Sequence, residues 1–426
     1  MPSGGISLSS ELLLNISDMR RSRSTCRRIL PCALLAILLT TLTTKAQDST
    51  GMHPAAPESN EESTSVGGYG DIHYTEPEGS AKGTVDVLTF VMFLEHQFSP
   101  DLSFFSELEV EHTKIEGGEG GEVAVEQAYI QYNFDERINL RAGLLLLPTG
   151  SMNEFHEPPA FNGVRRPRFQ KAMIPTTWRE IGFGFVGRIP EVEGLQYRTY
   201  LTSGLDAAGF DGDQGIYEGH FEGAEAPMTS LAVSGRVEYL NTGLRTGGWL
   251  YYGGSAANHE GVGSGLFDAP VFLYGIDAQY SIANLFLRGE LMGASIKDAA
   301  KLAEAFQRTK PEFNDAGDLA GYTWNNPIGS TMGGGYIEAA YDVMKLIRPG
   351  SSKQLLPFVR FEKFNTQSTL PANITPNPED DRTFIITGLT FKPTFNTVFK
   401  VDWTFAQDGT KEKVPGEFAL GIGYNF

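Results

Sequence analysis

Residues 417–426 decide the fold, and they read Glu-Phe-Ala-Leu-Gly-Ile-Gly-Tyr-Asn-Phe. The even-numbered positions, from Phe418 to Phe426, are all apolar or aromatic, whereas the odd-numbered positions are charged, polar or small. Because successive side chains of a β-strand point to opposite faces, this alternation predicts a strand with one apolar face and one polar face. A soluble sheet can also contain such a strand, so the rest of the chain decides between a soluble protein and a membrane protein.

The same period of two recurs in four other segments, with charged side chains on one face and apolar side chains on the other. Leu102, Phe104, Leu108 and Val110 alternate with Glu107, Glu109 and Glu111; Leu231, Val233, Val237 and Tyr239 with Ser234, Arg236 and Glu238; Leu285, Leu287 and Leu291 with Arg288 and Glu290; and Phe399, Val401, Trp403 and Phe405 with Lys400 and Asp402. Lipid requires the apolar face, and a water-filled lumen tolerates the charged one. The pattern is therefore typical of a transmembrane barrel.

Gly, Asn, Asp and Pro turns divide the chain into sixteen such segments. We expect strands at residues 67–76, 84–98, 102–114, 121–134, 137–147, 178–189, 194–203, 228–240, 245–253, 271–280, 284–296, 332–343, 355–366, 382–391, 397–407 and 416–426. Short and long connections alternate between them, as they do on the two rims of a bacterial outer-membrane barrel. The sequence thus predicts an all-β fold, a transmembrane antiparallel β-barrel of about 16 strands with short periplasmic turns and long extracellular loops. Barrels of this size enclose an aqueous channel.

The N-terminal region is typical of a secretory signal peptide. Five arginines between Arg20 and Arg28 precede an apolar run at residues 29–42, and residues 44–46 fit a small-x-small cleavage site. We expect residues 1–46 to be removed, with Met19 as the start of translation because residues 1–18 are unusually polar. Residues 47–66 are expected to be a flexible leader, and residues 67–426 a barrel in the outer membrane of a Gram-negative bacterium.

Composition restricts the function classes further. Both cysteines, Cys26 and Cys32, lie in the expected signal peptide, so the mature chain has no thiol. Removing residues 1–46 takes away six of the 34 basic and two of the 52 acidic side chains, which leaves a net charge of −22. This acidity argues against nucleic-acid binding. The sequence has no His-x-x-x-His spacing and no Gly-x-Ser-x-Gly elbow, so we expect no catalytic residues, no metal and no cofactor.

Several segments resemble the bacterial porins grouped with the phosphate-selective porins O and P. They are residues 67–74, 105–112, 125–130, 141–143, 147–148, 153–154, 156–159 and 174–178, mainly in the first third of the mature chain. The resemblance implies a sixteen-stranded, commonly trimeric channel. It also implies that Phe426 serves as the C-terminal aromatic residue by which the barrel-assembly machinery recognises its clients. It does not imply phosphate selectivity, because a phosphate pore needs stacked Arg and Lys, whereas this chain is strongly acidic.

One long connection, residues 148–177, is the first candidate site. In porins the corresponding loop often folds inward and narrows the bore, and here its charged residues are Glu154, His156, Glu157, Arg165, Arg166, Arg168 and Lys171. Acids and bases that face each other across a constriction would create a transverse field that selects among solutes. The alternative is a surface loop whose charges are solvated.

The second candidate site consists of charged residues at positions that the alternation places on the lumen face of the strands. The basic ones are Arg141, Arg188, Arg198, Arg236, Arg288, Arg360 and Lys400, and the acidic ones include Glu107, Glu109, Glu111, Glu238, Glu290, Asp277, Glu338, Asp342, Glu362 and Asp402. They would either line a path for polar solutes or simply pair with one another across neighbouring strands.

Two further patterns leave alternatives open. Residues 297–310 are rich in Ala, Lys, Glu and Leu and predict a short amphipathic helix within a long loop. Trp178, Trp249, Trp324 and Trp403 are candidates for aromatic girdles at the membrane interfaces, or for core packing.

The leading functional hypothesis is passive diffusion of small polar solutes or ions through a homotrimeric barrel embedded in outer-membrane lipids. An alternative is an adhesion or binding barrel that uses its long extracellular loops and has a plugged interior. A third is an outer-membrane hydrolase acting through His156 or Glu157, for which the sequence offers little support.

Overall fold

The computed structural model describes residues 62–80, 82–113, 120–175, 177–228, 230–255, 269–313, 319–372 and 374–426, with only the backbone of residues 308–313 and 319–324. The expected signal peptide and residues 47–61 of the expected leader lie outside these ranges. Residues 63–66 of that leader form the beginning of the first strand.

Sixteen strands form one closed antiparallel barrel, as the alternation predicts. They are β1 (Ser63–Pro77), β2 (Thr84–Ser99), β3 (Leu102–Glu111), β4 (Glu122–Asn133), β5 (Asn139–Leu146), β6 (Arg179–Arg188), β7 (Leu195–Ser203), β8 (Leu231–Asn241), β9 (Leu244–Gly253), β10 (Val271–Ile282), β11 (Leu285–Ile296), β14 (Thr331–Tyr341), β15 (Gln354–Thr369), β16 (Asp381–Thr394), β17 (Thr397–Gln407) and β18 (Lys413–Asn425). Each corresponds to one predicted strand, with boundaries that agree within four residues.

Closure depends on the pairing of the first strand with the last. β1 and β18 pair in antiparallel register from Tyr69 opposite Asn425 to Pro77 opposite Glu417. Beyond that ladder, Gly68 and Phe426 exchange two backbone hydrogen bonds of 3.0 and 2.9 Å. Every other barrel strand pairs with its neighbours along the chain, except that β11 pairs with β14. The ring has no free edge, which is the condition for a sheet to lie in hydrocarbon.

The two faces of the barrel separate as the period of two predicts. On β11, Glu290 and Met292 are buried inside, whereas Leu287 and Leu291 are exposed on the outer face. The same division holds on the other charged strands, where Arg236, Glu238, Lys400 and Asp402 are buried. Exposed apolar side chains of the outer wall include Ile130, Phe183, Leu250, Ile276, Ile337 and Phe399.

The tryptophans divide between the two candidate locations. Trp178 and Trp249 are buried inside the barrel, so they belong to interior packing and not to an interface girdle. Trp403 has the outward parity of β17 and contacts Phe405 and Phe418. The side chain of Trp324 lies outside the described residues.

The long connection between β11 and β14 differs from its prediction. The expected helix at 297–310 is limited to α1 (Ala299–Leu302) and a π-helical turn (Ala303–Gln307). A two-stranded hairpin, β12 (Arg308–Phe313) and β13 (Leu319–Trp324), follows it and was not predicted. Its strands have only six residues each, and Pro311 interrupts the first, so they carry no clear alternation.

The remaining helices are short and lie in connections. They are 3₁₀ turns at Pro158–Ala160, Ala207–Gly209, Tyr217–Gly219 and Pro378–Asp380, and the α-helices α2 (Arg168–Met173) and α3 (Met344–Ile347). Among the residues that the structure describes, no helix has the length and apolar character needed to cross a bilayer.

Candidate functional site: a loop folded into the barrel

The connection between β5 and β6, residues 147–178, lies inside the barrel. Its apolar side chains Val164, Phe169 and Met173 have no exposed surface. The loop closes at its neck through Asn153, whose side-chain N–H groups donate to the backbone oxygens of Leu147 at 2.8 Å and Trp178 at 3.0 Å. The Trp178 N–H donates back to the Asn153 side-chain oxygen at 2.7 Å. The loop therefore enters and leaves the wall at one point and spans the interior.

One set of loop contacts is with the wall strands β14 to β17. Asn162 donates to Glu338 at 2.9 Å, and the backbone N–H of Val164 donates to Asp402 at 2.5 Å. The backbone N–H of Arg168, at the start of α2, donates to Glu362 at 2.7 Å. These carboxylates satisfy polar groups that the loop carries into the barrel, where an unpaired group would be costly.

Arg360 links the loop to this wall. Its guanidinium forms an ion pair with Glu338 at 2.7 Å, and it also donates to the backbone oxygens of Asn162 and Arg165. Glu362 lies 3.5 Å from the same guanidinium. Arg360 is 2% exposed, so its charge depends on these partners and not on water.

The second set of contacts is with the strands β7 to β11. Ser151 donates its hydroxyl to Glu290 at 2.7 Å, and Gln170 donates to the same carboxylate at 2.6 Å. Glu154 forms an ion pair of 3.1 Å with Arg198. Wall groups of both charges thus bind the loop on this side, in addition to the strands β14 to β17.

The third set of contacts is with the strands β1 and β4. The Nε2 atom of His156 lies 2.8 Å from the Tyr69 hydroxyl and 3.6 Å from Glu126, while Nδ1 lies 3.0 Å from the backbone oxygen of Asn153. Burial alone would lower the pKa of His156, but the Glu126 carboxylate outweighs it and raises this pKa to about 9. An imidazolium paired with Glu126 therefore ties the loop to this wall at neutral pH.

The small lumen-facing residues of β18 make room for the loop. A Cβ atom on Gly423 would lie 2.2 Å from the Pro158 side chain, and one on Gly421 would lie 3.2 Å from Val164. Within the loop itself, Gly163 has φ +77°, a conformation that side chains rarely adopt. The polar-face glycines of residues 417–426 are thus the contact surface for residues 158–164.

A cavity of about 490 Å³ remains between the loop and the wall. Asp71, Glu109 and Glu111 of β1 and β3 line one side. The basic side chains of the cavity are Arg165, Arg166, Arg168, Lys171 and Arg382. Asp213, which pairs with Arg382, also lines it, so acidic and basic groups both face the space that the loop leaves open.

The candidate loop residues have distinct environments. His156 is buried and Glu154, Glu157, Arg166 and Arg168 are partly buried, whereas Arg165 and Lys171 are exposed to the cavity. Arg165 and Arg168 both pair with Glu417, at 3.0 and 2.9 Å. Lys171 lies over the Tyr217 ring at 4.6 Å.

The candidate lining residues lie on the lumen side, but the basic ones form no continuous track. Arg236 pairs with Glu238 of its own strand and with Asp277 two strands away, and Arg288 pairs with Glu338 of the neighbouring strand, so wall carboxylates neutralise these guanidinium groups. Arg141 contacts the Tyr129 ring, and Lys400 lies over Phe161. Arg188 has lumen parity but is exposed at the turn rim.

The alternation of the sequence assigns one residue of the site, Glu126, to the wrong face of the barrel. Counting in steps of two along β4 from the inward-facing Tyr129 assigns position 126 to the outer face. A β-bulge changes the register there, since Glu107 pairs with Gln127 and the next residue, Leu108, pairs with Val125. The extra residue turns Glu126 inward, where it is fully buried. No signal in a single sequence marks this bulge.

Comparisons with known proteins place the fold among outer-membrane porins. OmpF of Salmonella typhi has a TM-score of 0.55 at 13% identity and covers 85% of this chain and 97% of its own. An anion-selective porin from Comamonas acidovorans has a TM-score of 0.52 at 11% identity and covers 86% and 100%. OmpT of Vibrio cholerae, an outer-membrane protein in its trimer form, has a TM-score of 0.51 at 9% identity and covers 86% and 99%. At such identities these likenesses establish the fold alone.

The sequence comparisons are less specific. No family model matches the chain. A protein of Aquifex aeolicus, named only as uncharacterized, is 29% identical over 360 residues, which cover 83% of this chain and 78% of that protein. What the comparisons show is therefore the fold, that of the porin-type barrels.

Proposed function

We propose that this chain is an outer-membrane channel through which small hydrophilic solutes or ions diffuse passively. The observation that carries the proposal is the loop 147–178, which crosses the interior of a closed barrel and leaves a charged cavity open beside it. An apolar outer wall and a polar lumen are what a membrane channel of this size requires.

The loop is proposed as the constriction of that channel. Its basic residues, among them Arg166 and Lys171, line the same cavity as Glu109 and Glu111 of β3. A field between the two sides would orient polar solutes and slow apolar ones, which gives modest selectivity without a binding site. Phosphate selectivity finds no support in this lumen, because Arg236, Arg288 and Arg360 already pair with carboxylates.

Location and assembly belong to the same proposal. The outer wall, with side chains such as Ile276 and Leu291 exposed, fits a lipid environment. Export by a cleaved signal peptide, recognition of Phe426 by the barrel-assembly machinery and a homotrimeric state are proposed with it. The trimer form of OmpT, a protein of similar fold, supports the oligomeric state.

Planar-bilayer recording tests the channel function. Protein purified in detergent should produce stepwise conductance. Arg166→Gln should change the step size or the ion preference, because Arg166 lines the cavity. Lys353→Gln, an exposed change at the opposite rim, serves as the matched control and should conduct like the wild type. A correctly folded wild-type barrel that gives no steps over a wide voltage range would refute the proposal.

A binding barrel with a plugged interior is the second candidate. It is favoured by an apolar cluster inside the barrel, in which Phe169 and Ile174 of the loop pack with Leu205, Phe210 and Ile216 of the next long connection. Bilayers that stay closed, together with specific binding of a ligand to cells that display the protein, would favour this candidate over a channel.

A further inference from the structure

Three side chains from separate segments meet where the loop approaches β3 and β4. Glu107, Glu126 and His156 each place one ligand atom within 4.8 Å of the other two. Their exposed fractions are 5%, 0% and 7%. Two carboxylates and an imidazole at these separations form a donor set that metal ions with mixed nitrogen and oxygen preference accept.

The second observation is a buried Glu126 carboxylate that lies against another carboxyl, with too few N–H and hydroxyl donors around it. The Oε1 atom of Glu126 is buried and accepts no hydrogen bond from an N–H or hydroxyl group among the described residues. Its other oxygen, Oε2, is within reach of the Tyr69 hydroxyl at 3.3 Å and of His156 at 3.6 Å. The Glu109 carboxyl also lies within hydrogen-bonding reach of the Glu126 carboxylate. Two buried carboxyls can share a hydrogen bond only when one of them is protonated, whereas a bound cation would compensate both without that proton.

The donor atoms are also held in position by neighbouring groups. His156 directs Nδ1 to the backbone oxygen of Asn153 at 3.0 Å, which leaves Nε2 facing Glu126. Gln127 donates to Glu107 at 2.7 Å. Metal-binding histidines usually donate their second ring nitrogen to a carbonyl or carboxylate, and metal-binding carboxylates usually accept a hydrogen bond in this way.

We infer that Glu107, Glu126 and His156 bind a divalent transition-metal ion of the zinc type between the loop and the barrel wall. Three protein ligands would leave one position of a tetrahedral ion to water. The Tyr69 hydroxyl, 2.8 Å from Nε2, would give up its contact with that nitrogen. The ion would fasten the loop to β3 and β4, and the site is independent of whether the barrel conducts.

Zinc content and zinc affinity test the site directly. Protein stripped with EDTA and dialysed against Zn²⁺ should retain about one ion per chain and unfold at a higher temperature. Glu126→Gln should lower the affinity at least tenfold, since it removes a charged ligand. Glu122→Gln changes an exposed carboxylate on the same strand and should leave both measurements at the wild-type value.

A variant that leaves all three ligands in place covers the case in which Glu126→Gln fails to fold. Gln127→Ala removes only the hydrogen bond that orients Glu107, and it should weaken zinc binding by about 10- to 100-fold. Equal zinc binding by the wild type and the folded variants would overturn the site, as would a wild type that retains Ca²⁺ but not Zn²⁺. Conductance of the metal-free protein is measured separately, so failure of the site leaves the channel proposal standing.

Discussion

Arg360 contacts both the barrel wall and the loop. It neutralises Glu338, lies beside Glu362 and donates to two backbone oxygens of the loop. A buried arginine of this kind stabilises little by its own ion pairs, but its removal leaves the partner carboxylates without compensation.

Arg360→Met should therefore destabilise the barrel by about 3–5 kcal/mol. The free energy of unfolding in urea, followed by the mobility difference between boiled and unboiled protein, measures the loss. Arg188→Met is the control, because Arg188 is exposed at the rim and its loss should cost no more than about 0.5 kcal/mol. Equal stability of the two variants would mean that Arg360 does not hold the loop.

His156 predicts a pH dependence of stability in the presence of EDTA. Its pKa is about 9 when folded, because of Glu126, against an unfolded value near 6.5. The stabilisation is fully present below about pH 6.5 and is lost as the pH rises through about 9. The difference in unfolding free energy between the wild type and His156→Gln should shrink from pH 6 to pH 10. A difference that stays constant over this range would exclude the His156–Glu126 pair as its cause.

At the scale of single residues, the period-two alternation predicted which side chains face the lumen in most cases, but not which residues they pair with. The alternation of β8 predicts that Arg236 faces inward, yet only the closed ring shows that Asp277, one strand beyond its neighbour, neutralises it. Glu126 was missed because a bulge resets the period. The cluster with His156 joins segments distant in sequence, which no local motif search detects.

At the scale of elements, β18 and the loop are complementary in shape. Gly423→Val should push residues 158–164 away from the wall, because even a Cβ would overlap the Pro158 side chain. We expect a larger and noisier single-channel conductance with the barrel still formed. Gly248→Val, an outward glycine with its nearest neighbours 3.8 Å from a Cβ, should conduct like the wild type. Unchanged conductance in Gly423→Val would separate the loop contact from the channel.

The strands could be predicted from sequence because each one has lipid on one face and the lumen on the other. Apolar and polar residues therefore alternate along it. The loop could not be placed in the same way. Residues 147–178 have no periodicity, and whether they fold inward depends on carboxylates from six other strands, such as Glu290 and Asp402. The hairpin β12–β13 was not predicted for a related reason. Its short strands do not separate lipid from the lumen, so their sequence does not alternate.

At the scale of the whole molecule, charge predicts the ion preference. The chain has a formal net charge of −18, so acidic groups outnumber basic ones. We expect a modest cation preference that weakens at high ionic strength. The reversal potential in a salt gradient measures it, and a strong anion preference would restore the phosphate-pore analogy.

The central claim is that the channel conducts while the loop lies inside the barrel. The Cβ atoms of Val164 and of a residue introduced at position 421 would be 3.6 Å apart, which fits a disulfide. In a chain produced from residue 47 onward, which lacks Cys26 and Cys32, Val164→Cys combined with Gly421→Cys should cross-link on oxidation. The measurement is the bilayer conductance of this double variant before and after reduction. We predict that the disulfide forms and that the oxidised protein conducts in steps of nearly the same size as the reduced protein. Failure of the disulfide to form, or conductance that appears only after reduction, would contradict the claim.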